Sequence, residues 1–396
     1  MNDQTLLQEA PDFSLVLGGP LFQLFRRTHL SGDELELLHR RIIVIPMIAW
    51  LPLLILSSLG GHALGGVTLP FLHDIETQVR FMIALPVLIA AERIVHLRFR
   101  PAARSFVNRG IVVADEMPKF HAAIVSETRW RNSIPLELGL LVFVWGVGPW
   151  LWRNQIALGT SSWYATPEGS RLHLTAAGSW NEFVSIPIFQ FMLLRWYLRL
   201  LIWFRFLWQV SRLSLHLVAT HPDRAGGIAF LGSISYAFGP VLWAQGATLA
   251  GLIASRVLYG GESFVSFRME VIGLISFWVL FILGPLMMFT PQLTRAKRKG
   301  MADYGQLASR YVVGFERKWL LGNASSSPDN LLGTDDIQSL ADLGNSYAIA
   351  GEMRAVPFGL KDIIRLAATT ATPLVPLGLT MFSLEELVLR LLKLVL

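Results

Sequence analysis

Residues 183–208 read FVSIPIFQFMLLRWYLRLLIWFRFLW, and this stretch decides the fold class. Its only charged side chains are Arg195, Arg199 and Arg205, and most of the others are apolar. About 20 such residues in a helix cross the hydrocarbon core of a membrane, which is about 30 Å thick. The stretch therefore predicts a membrane-spanning helix and an all-α protein.

Apolar blocks of similar length recur along the chain, which has 396 residues, 53% of them hydrophobic and 16% charged. Soluble domains are about 25% charged. The pattern predicts a polytopic transmembrane helical bundle of about seven spans, the others being 42–59, 81–97, 134–152, 228–254, 271–289 and 363–382. Pro373 and Pro376 interrupt the last block, which is also compatible with a re-entrant or interfacial pair of short helices.

Polar segments separate these blocks and predict the organisation of the chain. The expected order is an interfacial lead at 1–41, spans one and two at 42–97, a cytoplasmic helical hairpin at 98–133, spans three to six at 134–290, a cytoplasmic helical segment at 291–362, and the last span with an amphipathic tail at 363–396. Alternating residues around Pro167, Glu168 and Gly169 predict a small β-hairpin.

The distribution of lysine and arginine predicts the orientation in the membrane. Segments 1–41, 98–133, 209–226 and 291–362 hold 4, 7, 2 and 9 of them, whereas the opposite loops 60–80, 153–182 and 255–269 hold 1, 2 and 2. Lysine and arginine accumulate on the cytoplasmic side of membrane proteins. We therefore expect a cytoplasmic N-terminus, and we see no cleavable signal peptide in MNDQTLLQEAPDF.

Composition and missing motifs narrow the function classes. There are no cysteines, which excludes disulfides, thiolate metal sites and a cysteine nucleophile. The sequence holds no Walker A, HExxH or GxSxG motif, which argues against an ATP-driven pump or a common membrane protease. We expect no cofactor and no metal. Orientation in a lipid bilayer explains the net charge of +6 without a nucleic-acid partner.

Polar residues inside the expected spans are the main candidates for function. A charge at the centre of a membrane costs about 2.5–3.5 kcal/mol on insertion scales, so it should face protein or water. Arg195 and Arg199 share one helix face, and Glu92 should reach a similar depth, which predicts a Glu92–Arg195 or Glu92–Arg199 pair. The polar membrane site comprises Glu92, Arg93, His96, Gln190, Arg195, Arg199 and Gln245. It serves either as an ion or anion pathway or as a structural network between helices.

The stretch HPDRAGG at 221–227 is a second candidate site, with His221, Asp223, Arg224, Gly226 and Gly227. Asp223 can cap the helix that follows, and the glycine amides at its positive end would favour an anion such as a lipid phosphate. The alternative is a tight turn. Separately, Gly246, Ala250 and Ala254 form a ridge of small residues, which predicts a close helix contact within one chain or in a homo-oligomer.

Two stretches resemble a family of bacterial multi-pass membrane proteins without an assigned activity. One is Trp203–Gly232, which contains WQVSRLSLHLVATHPDRAGGIAFLG, and the other is Ser339–Phe358, which reads SLADLGNSYAIAGEMRAVPF. Together they cover a minor part of the chain. The resemblance implies a location in the bacterial inner membrane and implies no activity.

Three classes of function remain open. The charged residues inside spans and the proline-interrupted helices favour a channel or transporter. The polar segments without an active-site pattern are typical of a non-catalytic sensor or scaffold. A lipid-acting interfacial enzyme would rest on His221, Asp223 and Arg224 alone. The absence of a catalytic motif favours a protein that is not an enzyme.

Overall fold

The structure, a computed structural model, describes residues 14–27, 37–151, 162–168, 171–321 and 335–379. Several expectations fall outside these ranges. They are the start of the lead at 1–13, the loop between 321 and 335, and the amphipathic tail that ends the chain.

Helices dominate the described residues, and the all-α expectation is confirmed. They are α1 (Pro20–Arg27), α2 (Leu38–Leu59), α3 (Leu85–Asn108), α4 (Met117–Arg131), α5 (Ile134–Leu151), α6 (Ile186–Val210), α7 (Gly239–Gly260), α8 (Arg268–Leu283), α9 (Thr290–Phe315), α10 (Asp335–Glu352), α11 (Leu360–Ala371) and α12 (Val375–Leu379). The expected β-hairpin is also present, as the antiparallel strands β1 (Ala165–Glu168) and β2 (Arg171–Leu174).

Short helical turns lengthen several of these helices beyond the apolar blocks. Ile75–Gln78 and a π-helical turn, Val79–Ala84, lead into α3. Side chains cap the starts of two such extensions, since Asp74 accepts a hydrogen bond from the Thr77 amide at 3.1 Å and Thr175 accepts one from the Gly178 amide at 2.9 Å. The extended helices are therefore longer than a membrane requires.

Four of the helical runs are long and apolar enough to cross a membrane: Leu38–Leu59, Ala176–Val210, Phe230–Gly260 and Phe264–Leu320. A fifth candidate is Ala114–Arg131 with Ile134–Pro149, bent by 41°. These four or five candidates fit a polytopic membrane bundle, and the expected count of seven is not confirmed. Arg80, Glu92, Arg93 and Arg98 interrupt the helix that carries the expected second span.

The last expected span also departs from a single straight helix. A 3₁₀ turn, Thr372–Leu374, separates α11 from α12 at Pro373, and the described residues end at Leu379. Proline lacks the backbone N–H that would continue the helical bonding there. α11 packs against both α7 and α8.

The centre of the bundle is α3, which contacts α2, α6 and α7. Its inner face is fully buried and meets an aromatic core, in which the Phe99 ring lies 4.7 Å from Trp203 and 5.0 Å from Phe238. α8 instead exposes large apolar side chains, among them Met269, Ile272, Phe277 and Leu280. An exposed apolar face of this size is typical of a helix that contacts lipid.

α9 continues α8 beyond the apolar region through the 3₁₀ turn Gly284–Phe289. It pairs with α10 as a helical hairpin. Tyr311 of α9 donates a hydrogen bond to the Asp336 carbonyl at 2.8 Å, which fixes the register of the two helices. Within the described residues, the segment expected at 291–362 is therefore mostly helical, and residues 353–359 form an irregular connection between α10 and α11.

Gly246 tests the packing of α7 on α11. A Cβ at this position would collide with the carbonyl oxygen of Thr370, so the small-residue ridge makes a contact within one chain. We expect Gly246→Ala to lower the free energy of unfolding by about 1–3 kcal/mol, because α7 and α11 must move apart. Thermal unfolding in detergent measures this change. Gly273→Ala on α8 is the control, since a Cβ there meets nothing within 4 Å. Equal stability of the two variants would contradict the close contact.

Candidate functional site

A group of charged side chains is buried where α2, α3, α5 and α6 meet. At its centre the side chain of Glu92 is 1% exposed. Glu92 Oε2 accepts a hydrogen bond from Arg41 Nη1 at 2.5 Å, and Oε1 accepts from Arg199 Nη2 at 2.7 Å and from Arg195 Nη1 at 3.3 Å. Arg195 Nε lies 3.4 Å from Glu137 Oε1. We name these five residues the Glu92 cluster.

Helix geometry explains which of the expected residues meet. Arg195 and Arg199 are one turn apart on α6, so both reach Glu92 and the two expected pairs are present. Arg93 was expected in the same site, and the structure corrects this: its side chain is exposed. One residue along an α-helix rotates the side chain by about 100°, which takes Arg93 off the buried face of α3.

The Glu92 cluster lies toward the end of the bundle where α2 and α5 begin. Arg41 and Glu137 belong to the first turns of these helices. The run that contains α6 extends from Ala176 to Val210, so Arg195 lies near the middle of that run. Its contacts place it level with the first turns of α2 and α5.

Residues 14–23 cover this end of the cluster, and we name them the N-terminal cover. Leu15 and Val16 are buried, and the Ser14 hydroxyl is 2.9 Å from His96 Nδ1. The Leu21 amide donates to Glu137 Oε2 at 2.8 Å. The cover therefore shares a carboxylate with the cluster beneath it. Gly18 and Gly19 turn the chain there with φ of 122° and 91°, which favour glycine.

Arg199 has a guanidinium nitrogen in the cluster without a hydrogen-bond partner among the described residues. Arg199 Nη1 is buried and makes no hydrogen bond, although the guanidinium carbon lies 4.6 Å from the Trp196 ring centre. Gln190 Oε1 and Gln245 Nε2 are likewise buried without a partner. A Cβ at Gly148 would collide with Gln190, so that amide packs against α5. Unpaired donors and acceptors of this kind are rare and favour water or a ligand.

The HPDRAGG stretch forms a tight turn in which Asp223 occupies the amides. Its carboxylate accepts hydrogen bonds from Ala225, Gly227 and Ala229 at 2.8, 3.1 and 3.0 Å. Burial acts to raise the pKa of Asp223, and these three donors outweigh burial and hold that pKa below its ordinary value. An external anion would have to displace this carboxylate from the Gly227 amide.

The remaining residues of that candidate site have structural contacts. Arg224 adopts a φ of 55° and its exposed side chain pairs with Glu352 at 3.0 Å. The Arg354 amide donates to the Arg224 carbonyl at 2.7 Å, and a Cβ at Gly226 would lie 3.1 Å from the Met353 side chain. The two stretches that carry the family resemblance therefore lie against each other. His221 Nδ1 is 2.9 Å from Asp223 Oδ1.

Two members of the Glu92 cluster, Arg41 and Glu137, were not singled out from the sequence. Both stand at the edge of an apolar block, where charged residues ordinarily reach the membrane surface. The sequence feature that could have identified both residues is an isolated charge in the first turn of an expected span. Among the residues that the structure describes, no group of three or more histidine or acidic side chains is arranged to hold a metal.

Comparison of the chain with known protein families, with curated proteins and with solved structures finds no match. We therefore infer function from the geometry of this chain.

Replacing Glu92 tests the balance of charge in the cluster. Glu92→Gln removes the carboxylate that three guanidinium groups share, and breaking a buried ion pair from one side costs about 3–5 kcal/mol. We expect a loss of that order in the free energy of unfolding, measured by thermal unfolding in detergent. Glu262→Gln removes the same charge from an exposed position and should change stability by less than about 0.5 kcal/mol. A tolerated Glu92→Gln would show that the network is not needed for folding.

Asp223→Asn tests the turn and has a defined pH dependence. The native carboxylate stabilises the fold above the ordinary aspartate pKa of about 3.9, because its pKa is lowered in the folded state, and this contribution is lost as the pH falls through the lowered value. The variant should be about 1–3 kcal/mol less stable at pH 7. The difference should shrink in unfolding measurements below pH 4. A difference that stays constant with pH would contradict the ionised form.

Proposed function

We propose that this chain is a multi-pass transport protein of the bacterial inner membrane, a channel or transporter for small anions, with the Glu92 cluster as its polar site. The observation that carries the proposal is the buried and unpartnered Arg199 Nη1 beside two further arginines. A guanidinium presents donors in a fixed fork that matches oxyanions. A small anion entering the cluster would meet these donors directly.

The N-terminal cover supports the proposal because it lies over the cluster and is held by few polar contacts. Besides the Ser14 and Leu21 hydrogen bonds, Arg131 Nη1 donates to the Ser14 carbonyl at 2.5 Å. Movement of the cover would break the Leu21 bond to Glu137 and change the charge balance of the cluster at once. Segments that gate a site generally combine few anchoring bonds with backbone turns such as Gly18–Gly19.

The topology that we propose is seven spans with a cytoplasmic N-terminus. The four or five candidate spans supply most of them, and α3 is the expected second span. The Glu92 charge on α3 is surrounded by protein partners rather than lipid, since three arginines enclose it. The bias of lysine and arginine between the two sets of loops supports the orientation.

The second candidate function is a membrane scaffold or sensor, and the α9–α10 hairpin favours it. Val312, Val313 and Leu320 are exposed on its surface, outside the apolar region of α8. Such side chains are available to a protein partner. A photo-crosslinking residue at Val313 in the full chain would capture that partner, with Met269 on α8 as the lipid-facing control. A lipid-acting enzyme receives less support, because Asp223 is engaged by backbone amides.

Anion flux through reconstituted vesicles tests the proposed function. We expect purified protein to accelerate the exchange of chloride, nitrate and formate over protein-free vesicles, and Arg199→Gln to lower that rate at least about ten-fold. Arg93→Gln is the matched control, since it removes an exposed arginine next to Glu92. Thermal unfolding of both variants separates loss of transport from loss of fold. Wild-type vesicles that match protein-free vesicles for all three anions would overturn the proposal.

A further inference from the structure

A cavity of about 770 Å³ lies between the end of α6, the segment 211–217 and the start of α9. Gln292 of α9 fixes its walls, because its Nε2 donates to the carbonyls of Ser211 and Leu213 at 2.6 and 2.8 Å. The cavity is distinct from the Glu92 cluster, none of whose residues lines it. Its volume falls within the range of small-molecule sites, about 300–1,000 Å³.

Three cationic side chains line this cavity: Arg212, Arg295 and Lys299. All three are exposed, and no carboxylate among the described residues pairs with them. Arg205, by contrast, is paired with the Glu127 carboxylate at 2.7 Å. The side chain of His216 adds a further donor to the lining. Like charges gathered without counter-charges repel each other, and an anion between them would relieve that repulsion.

Glu116 is an acidic side chain near the cavity that could neutralise its cations. It lies beside Ser214, which is a lining residue, and it pairs with Lys119 at 3.0 Å. Its charge is therefore already matched by a lysine outside the cavity. The cavity itself keeps an excess of positive charge.

The cavity also has apolar lining beside its cations, since the Arg212 guanidinium carbon lies 5.4 Å from the centre of the Trp208 ring. The side chain of Trp208 is 47% exposed and that of Met288 is 37% exposed, and both stand where α6 and the run from α8 to α9 leave their apolar regions. Tryptophan concentrates at the interface between hydrocarbon and headgroups. A ligand in this cavity would thus meet cationic and apolar side chains together.

We propose that this cavity binds one acidic phospholipid. The phosphate group lies among Arg212, Arg295 and Lys299, where a guanidinium can hold two of its oxygens. The acyl chains run along Trp208 and Met288 toward the apolar surface of α8. A free phosphate would satisfy the cations equally well and would leave the apolar wall unused, which is why the geometry points to the lipid.

Lipid titration of the purified full chain tests this inference. The protein in detergent is titrated with phosphatidylglycerol or phosphatidylcholine, and retained lipid is counted by native mass spectrometry. We expect one phosphatidylglycerol to bind at least about ten-fold more tightly than phosphatidylcholine. The triple variant Arg212→Gln, Arg295→Gln and Lys299→Gln should weaken that binding about fifty-fold or more, since each cation near an anionic headgroup contributes about a five-fold effect.

A matched triple variant controls for total charge. Arg298→Gln, Arg310→Gln and Arg317→Gln remove three exposed cations from α9 and the turn that follows it, none of which lines the cavity. Binding within about two-fold of wild type is expected for this control. Equal losses in both triples, or no loss in the first, would overturn the assignment. If the first triple does not fold, Arg295→Gln alone replaces it, with an expected loss of about five-fold.

Soluble glycerol phosphate distinguishes the lipid from a free anion. We expect it to displace phosphatidylglycerol only at concentrations at least about a hundred-fold higher, because it lacks the acyl chains that contact Trp208 and Met288. Displacement at equal concentration would show a site for soluble phosphates and would contradict the lipid. This experiment is independent of transport, so a failure of the flux assay leaves its outcome unaffected.

Discussion

The carboxylate of Glu92 is the counter-charge on which the packing of the bundle depends. Arg41, Arg195 and Arg199 all donate to it from two other helices. A charge buried away from water is tolerated only when it is paired and hydrogen-bonded. Because one carboxylate serves three guanidinium groups, α2, α3 and α6 cannot shift independently without leaving a cation unpaired. The arrangement thus sets the position of α3 at the centre of the bundle.

Glu137 extends this constraint to α5 and to the N-terminal cover. One of its oxygens lies near Arg195 and the other accepts from the Leu21 amide. A displaced cover would leave that oxygen without its donor, and the pull of Glu137 on Arg195 would then change. Coupling between the cover and the cluster requires only that their shared network of hydrogen bonds and ion pairs has two arrangements. It does not require a path of residues across the protein. The cover is therefore connected to Glu92 through two residues, Glu137 and Arg195.

The sequence predicted part of this arrangement. The four-residue spacing of Arg195 and Arg199 places them on one face of any helix, and Glu92 stands inside an apolar block, so their pairing followed from helix geometry. The length of the helical run before Arg195 did not follow, because the capping residue Thr175 starts that run before the apolar block begins. The pairing of Arg41 with Glu92 could not be predicted for another reason. A charged residue at the end of an apolar block is ordinarily expected at the membrane surface, and the sequence does not show which side chains surround it.

The turn at 221–227 is a second case in which sequence spacing does not predict the contacts of a side chain. Glycines and an acidic residue before a helix indicate an anion site and a self-capped turn equally well. Which of the two forms depends on where the aspartate points, and Asp223 points inward onto Ala225, Gly227 and Ala229. Sequence spacing carries no information about the rotation of that side chain, so spacing alone does not distinguish the two alternatives.

Whether an arginine has a carboxylate partner indicates whether its role is structural or in binding. Arg41 and Arg199 are buried and both pair with the Glu92 carboxylate, so their charges hold α2 and α6 against α3. Arg212 and Arg295 line a cavity with no acidic partner among the described residues, although they are equally basic in the sequence. A cation that the fold does not neutralise keeps its full attraction for an external anion. Arg199 combines both properties. It is paired with Glu92, and its buried Nη1 can still donate a hydrogen bond to an anion.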